Sequence, residues 1–419
     1  MKLKLSTKFY LTVYFLILMS LFHREIKFYY YWRHIANLQN TSFGFDNARL
    51  YVSIILFLIN VKVLFKINKE KLLFTVTTFF FLLLTIPSLI AFTSGIIYPV
   101  KLLVYHQILF FSLFLASKVK LNFSKFPVLN KAHALYLLFA ITTIGILPYL
   151  IIWGPYINIK NLWLQEVYET RAAMTKVSNP YFGYTFSLYS KIIIPLIIVL
   201  SLELKKYYIT IIGVLYLILF YLFGGHKTVY LGLILMFVFY KLTYITAVSK
   251  TIKWSNLLIL LSLFLAYFGY QYDYLWILTF RRIHFLPGLL DIAYLDFFKE
   301  QPIYWSESVL KRFISYPFNA SHVSLIGENY FGKPDMGANN GLISDGYMNW
   351  GTIGVLINIA IVSGYFMILN NLKVAPKYFG LFLLIIFSFI SSSMFTVLLT
   401  HGGVFLLLIA IFMLNEKKN

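Results

Sequence analysis

An all-helical integral membrane protein is the fold this sequence predicts, and three observations predict it. Mean hydropathy is +0.77, and 12% of the 419 residues are charged against 60% hydrophobic. No water-soluble domain hides that much apolar surface. Apolar runs recur along the whole chain, at 8–22, 48–66, 71–93, 97–117, 133–153, 185–204, 207–224, 229–247, 257–278, 345–369, 379–398 and 402–414. Most are near the ~20 residues a bilayer core requires, so about twelve transmembrane helices are expected. The third observation is lysine. Alternate short loops hold Lys66, Lys69, Lys71, Lys118, Lys120, Lys125, Lys131, Lys205, Lys206, Lys241, Lys250 and Lys253. Short basic loops stay on the cytoplasmic side, which places both termini there as well.

Each element follows from that frame. The first apolar run begins near Phe9 and lacks a small-residue cleavage site, so it reads as a retained helix rather than a signal peptide. No internal repeat, low-complexity tract or soluble stretch separates the runs, which predicts one membrane domain over 1–419. Three longer loops fall on the outer side, at 23–47, 154–184 and 279–344. The last lies between the ninth and tenth spans. Loops of that length are functional or disordered, and its aromatic and apolar content predicts order. Within it Pro287 suits the first turn of a helix, and Leu289, Leu290, Ala293, Tyr294, Phe297 and Phe298 recur at helical spacing. An amphipathic helix is expected there, with a second, short one capped by Ser306 and running through Val309, Leu310 and Phe313.

The net charge of +21 is spread through short loops, not gathered into a nucleic-acid surface. Cysteine is absent, which excludes disulfides and thiolate chemistry. The outer loops hold no Asp-x-Asp, Glu-x-Glu or His-x-x-x-His pattern, so neither a metal nor another cofactor is expected. No phosphate-cradling glycine loop with a following Lys-Ser/Thr occurs, which argues against an ATP-driven pump.

Arginine is the polar residue that sorts. All seven (Arg24, Arg33, Arg49, Arg171, Arg281, Arg282 and Arg312) fall on the outer side, while the cytoplasmic loops use lysine alone. Lysine suffices as a point charge beside lipid, whereas the guanidinium fork binds phosphate or carboxylate through two parallel hydrogen bonds. Each site also has a structural explanation. Arg171 sits near Glu166 and Glu169 and could form a surface ion pair. Arg281 and Arg282 could snorkel to the interface. His322 and Glu328, between Arg312 and the tenth span, could be bases or structural loop residues.

The most unusual stretch is GANNGLISDGYMNWGTIG, residues 337–354, set at the mouth of the tenth span. Asn339, Asn340, Ser344 and Asp345 could cap that helix. The same helix end, with its free N–H groups, also suits an oxyanion. Gly346, Gly351 and Gly354 would allow close backbone approach.

With an arginine-bearing outer loop before it, and with IGENYFG upstream and GGHKTVYLGLIL from Gly224, this stretch resembles the Wzy-type oligosaccharide repeat unit polymerases, or O-antigen polymerases. The residue-level likeness lies in 164–184, 224–232 and 312–354. The resemblance implies a GT-C-like bundle in a bacterial inner membrane with its active site facing the periplasm. It implies a metal-independent glycosyltransferase that joins undecaprenyl-diphosphate-linked oligosaccharides. Membrane lipid surrounds it, and a chain-length regulator is the expected protein partner. Arg171, Arg281, Arg282 and Arg312 would bind the diphosphate. His322, Glu328 or Asp345 would be the base, and Asn339, Asn340 and Tyr347 would contact glycan. Related O-antigen ligases often carry a His-Asn pair where this chain reads Asn339-Asn340, which favours polymerase over ligase. A lipid-linked oligosaccharide flippase is the rival of another class. The absence of repeats and the concentration of polarity in outer loops weigh against it.

Overall fold

The computed structural model describes residues 2–26, 46–95, 98–163, 165–177, 179–268 and 274–415, without the side chains of 2–6, 24–26, 227, 228 and 231. Arg33 and most of the 23–47 loop lie outside the described residues. Helices make up the fold, with no strand among the described residues. Among the described residues seven are, by length and composition, long and apolar enough to cross a membrane: Asn47–Leu64, Leu72–Phe92, Lys131–Ile152, Pro180–Glu203, Tyr207–Gly224, Tyr244–Phe268 and Leu342–Asn371. Shorter apolar helices cover Thr7–His23, Val100–Ala116, Pro376–Ser391 and Gly403–Leu414.

Local sequence sets where helices begin. Asp46 accepts a hydrogen bond from the Arg49 N–H, Asn130 from Ala132 and His133, and Asn179 from Phe182. Each is a short polar side chain closing an otherwise open helix N-terminus. The ninth helix departs from expectation. It starts at Tyr244, so Lys250 and Lys253 are exposed residues on a helix rather than in a loop. Lysine stems lie along apolar surface while their ammonium groups reach water, so a lysine pair need not end a helix.

Proline shapes three of the helices in the same way. Wide π turns cover Phe81–Thr85, Tyr189–Ile193 and Ile277–Phe285. Each ends two residues before a proline: Pro87, Pro195 and Pro287. Proline has no N–H and its ring crowds the carbonyl one turn back, and a π turn accommodates both. Pro287 stands in the first turn of the α-helix Leu286–Phe297, as expected, and the π turn joins that helix without a break to the segment from 274. The expected helix from Ser306 is absent, and 304–313 is a chain of turns. Tyr304 and Trp305 there take left-handed backbone angles (φ 51° and 56°), which break helical register.

The polar stretch at 337–354 forms a reversal. Helix Leu342–Asn371 breaks at Trp350 and Gly351, where Gly351 has φ 56° and ψ −141°. Asn358 Nδ2 then donates to the Leu342 carbonyl at 2.9 Å. In a straight helix those residues would be ~24 Å apart at about 1.5 Å per residue, so the second segment folds back along the first. A Cβ on Gly346 would lie 2.6 Å from the Gly354 carbonyl oxygen, so the two segments pass in backbone contact. The expected span at 345–369 is thus a short helix followed by a reversal and a longer one.

The single body expected over 1–419 divides into two compact units. The first comprises Met1–Val119, Tyr244–Met367 and Phe389–Met394; the second comprises Lys120–Thr243, Ile368–Ser388 and Phe395–Asn419. Each is organised on one enclosed helix. In the first, 94% of the apolar window of Leu72–Phe92 is buried; in the second, 72% of that of Pro180–Glu203. By contrast the outer helices Asn47–Leu64, Lys131–Ile152 and Tyr244–Phe268 have 22% buried and leave residues such as Ile55, Leu58, Leu137, Ile144 and Phe264 exposed. Water does not tolerate apolar faces of that extent, and lipid does.

Candidate functional site

In the first unit the reversal is held by one carboxylate. Asp345 is 2% exposed. Its Oδ2 accepts from Asn358 Nδ2 and from the Met394 N–H, both at 3.1 Å, and its Oδ1 accepts from Asn340 and Asn349 Nδ2 at 3.4 Å. Four N–H donors satisfy the carboxylate without a cation. The Asn349 Oδ1 accepts from the Trp305 N–H, and the Met348 and Asn349 carbonyls accept from Ile303 and Tyr304. Those bonds hold the left-handed pair at 304–305 in place. Strain of this kind persists where the surroundings fix it, and it gathers at functional sites.

The fixed turn presents Glu307. Its Oε2 accepts from His322 Nδ1 and from the His322 backbone N–H. His322 opens helix His322–Phe331, capped by Ser321, and packs edge-on against Tyr294 with ring centroids 6.0 Å apart. Both partners are part-buried, with side-chain exposures of 18% for His322 and 29% for Glu307. Burial works against the Glu307 carboxylate, but the hydrogen bonds and charge of His322, with a bond from Tyr316, outweigh it and hold the carboxyl below its usual range. A carboxylate on Nδ1 fixes the imidazole tautomer and orientation, leaving Nε2 to take a proton. Glu307 was missed in the sequence because no spacing rule connects it to a histidine fifteen residues on. Its only signal was an acid set in a polar Ser-Glu-Ser at 306–308.

The other residues singled out from sequence fall into different settings. Glu328 is exposed on the same helix as His322. Asn339 is exposed, whereas Asn340 is buried against Asp345. Tyr347 is 8% exposed and its hydroxyl accepts from Lys101 Nζ at 3.0 Å, so it faces a lysine. Arg281 and Arg282 lie in the π turn before Pro287, with Arg281 part-buried and Arg282 exposed. Arg312 is exposed in the turns at 304–313. Arg282 and Arg312 form no ion pair among the described residues. Arg49 is committed elsewhere: it pairs with Asp46, donates to the Tyr98 carbonyl at 3.0 Å and lies over the Phe92 ring. The arginines expected on the outer side therefore include both groups committed to structure and groups without an ion pair among the described residues.

Beneath the reversal, Asp291 supports the start of helix Leu342–Asn371. Burial pushes its carboxyl up to about 7, while the Ser344 hydroxyl and N–H pull the other way by donating to it. His106 Nε2 lies 3.8 Å from its Oδ2. The Ser344 hydroxyl also accepts from the Gly341 N–H at 2.9 Å, so the cap expected of this stretch is Ser344.

In the second unit Arg171 does not pair with Glu166, which is held by Lys160 and Asn158. Its Nη2 donates to the Gly225 carbonyl at 2.8 Å, in the turn before Lys227–Tyr240. No three His, Cys, Asp or Glu side chains gather as metal ligands would among the described residues. No protein-family model, no curated protein and no solved structure matches the chain.

Proposed function

We propose that this chain is a membrane-embedded glycosyltransferase of the Wzy type. It polymerises lipid-diphosphate-linked oligosaccharide repeat units on the periplasmic face of a bacterial inner membrane. Twelve spans in a GT-C-like arrangement, with cytoplasmic termini, would be reached if Lys227–Tyr240 and the four shorter apolar helices cross as well. The observation that carries the proposal is the His322–Glu307 pair, a base with its orienting carboxylate set outside the apolar helices.

The chemistry needs three groups. His322 Nε2 takes the proton of the acceptor sugar hydroxyl as its oxygen attacks the anomeric carbon of the donor. The bond from that carbon to the diphosphate breaks, and its electron pair leaves on the diphosphate oxygen. Arg281, Arg282 and Arg312 in the same unit are assigned to neutralise that charge, a task guanidinium forks perform without a divalent ion. Glu307 holds the imidazole and stabilises the imidazolium. His322 is preferred over Asp345 as base because Asp345 is enclosed by four N–H donors, and over Glu328 because Glu328 lacks an orienting partner. The ligase would use the same chemistry on a different acceptor, and the flippase would use none.

Deleting the gene in its native host and separating surface glycan by size tests the proposal. Collapse of the ladder to core plus one repeat is expected. Long polymer held on the carrier lipid would mean ligase, repeat units trapped inside would mean flippase, and an unchanged ladder would remove all three.

A further inference from the structure

We propose that Arg171, Lys191, His226 and His401 form a binding site in the second unit for an oxyanion of the phosphate or diphosphate class. Three packing contacts bring these groups together. Lys191 rides on the π turn Tyr189–Ile193, displaced from regular helical register by the turn that precedes Pro195. Gly402, directly after His401, has φ +80°, and a Cβ there would meet Leu188 at 2.7 Å and Ile192 at 2.9 Å. The chain at His401 is therefore pressed onto the turn that carries Lys191. His226 packs its ring on Phe186, one turn before Lys191, with centroids 5.3 Å apart. Arg171 is fixed to the carbonyl of Gly225, the residue before His226.

The cations Arg171 and Lys191 lie close enough to His226, and Lys191 to His401, for their charge to act on the imidazoles, and no carboxylate joins them among the described residues. Arg171 and Lys191 act on His226; Lys191 and His226 act on His401. None of the four forms an ion pair among the described residues. Two buried nitrogens in the cluster, Arg171 Nε and His401 Nδ1, have no hydrogen-bond partner. Buried polar atoms are almost always paired, and cations without counter-charge are unfavourable. An oxyanion supplies both what the nitrogens lack and the charge the cluster lacks. His226 is exposed to solvent, so a soluble anion can reach the cluster.

Proton uptake should accompany binding. Partial burial first, then the charges of Arg171 and Lys191, push the His226 imidazole down; burial first, then Lys191 and His226, push His401 down. Both are therefore neutral at pH 7. A bound oxyanion favours the charged form, so affinity should rise as pH falls from 8 to 6. Identifying the ligand as a lipid diphosphate rests on the polymerase proposal. The oxyanion chemistry does not.

The test is calorimetric titration of the purified full chain in nanodiscs with inorganic pyrophosphate. Measurements at pH 6 and 8, in buffers of different ionisation enthalpy, count the protons. Wild type should bind with proton uptake and more tightly at pH 6. Lys191→Met and His401→Asn should weaken binding at least tenfold, and Lys191→Arg should largely restore it. His226→Asn should lower the proton count. No binding by wild type, or equal binding by every variant, would overturn the site. Competition by a polyprenyl diphosphate but not by orthophosphate would identify a lipid source; the reverse would identify a free phosphate. The polymerase proposal is read separately on the glycan ladder. Binding with the expected losses beside an unchanged ladder keeps this site and removes that function; no binding beside a collapsed ladder does the opposite.

Discussion

The two units treat inward charge in opposite ways. In the first, Asp345 is enclosed by three asparagine amides and a backbone N–H, so that each oxygen accepts two hydrogen bonds. In the second, Lys191 lies among basic groups and forms no ion pair among the described residues, and His401 Nδ1 has no partner. A satisfied carboxylate fixes structure, as Asp345 fixes the reversal at Trp350–Gly351 even with the neighbouring Asn358 Oδ1 left without a partner. An unsatisfied basic cluster is poised for a ligand. The first unit also shows an intermediate case: the His322–Glu307 pair is satisfied on one ring nitrogen and available on the other.

The largest effect should come from breaking the satisfied network. Asp345→Ala removes the shared acceptor of four buried N–H donors, of which Asn349 and Asn358 Nδ2 keep a backbone carbonyl, and removing one partner of a buried charged network costs roughly 3–5 kcal/mol. Little folded protein should be recovered in detergent size-exclusion, whereas Asp345→Asn should be milder. Recovery of Asp345→Ala at wild-type yield and melting temperature would show that the reversal holds without its carboxylate.

The next effect is on chemistry. His322→Asn should lower glycan elongation by about a hundredfold or more at normal membrane levels, within the range for losing a general base. Glu307→Gln should lose less, because the amide still holds the ring but does not stabilise the imidazolium. Equal losses for the two would mean the pair acts only as a structural tie.

A smaller effect is expected for Arg312→Lys. Charge is retained but the fork is lost, and about a tenfold drop in elongation should follow. Full activity of both Arg312→Lys and Arg312→Ala would remove Arg312 from the diphosphate site.

The smallest effect is a pH dependence. The Asp291 carboxyl titrates near 7 because burial raises it. Its folded value lies above its unfolded one, so its contribution is greatest at low pH and declines as pH rises through 7. Wild type should therefore lose thermal stability relative to Asp291→Asn between pH 6 and 8. A difference that stays flat over that interval would show that Asp291 does not change charge there.

Much of the fold was legible in the sequence because lipid imposes a simple rule: a long apolar run becomes a helix. The turn at Gly225–His226 falls between the apolar runs 207–224 and 229–247, where the sequence breaks them. The departures have local causes. Pro287 sits in the first turn of Leu286–Phe297 as proline suits, but the π turn that joins this helix to the preceding one has no sequence signal before the proline itself. The reversal at Gly351 is hidden because its apolar pattern continues unbroken on both sides; only the density of Gly, Asn and Asp at 337–354 hinted at it. Lys250 and Lys253 mark a loop by charge but sit on a helix by geometry.

The site was less legible than the fold. His322 and Arg171 stood out because polar residues are scarce here. What they do depends on partners remote in sequence: Glu307 for His322, Gly225 for Arg171, and Asn358 and Met394 for Asp345. Lys191 lies within an apolar run and His401 between two of them, and no spacing in the sequence connects the two. A positive-φ glycine after His401 and a proline after Lys191 were the only signs that the backbone brings them together.

The most direct measurement is elongation by the purified chain in liposomes supplied with a lipid-diphosphate-linked repeat unit, with a chelator present. Wild type should build a ladder of lengths, and His322→Asn, folded to the same extent, should not. A ladder from both proteins, or from neither, would contradict the assignment of polymerisation to this chain through His322.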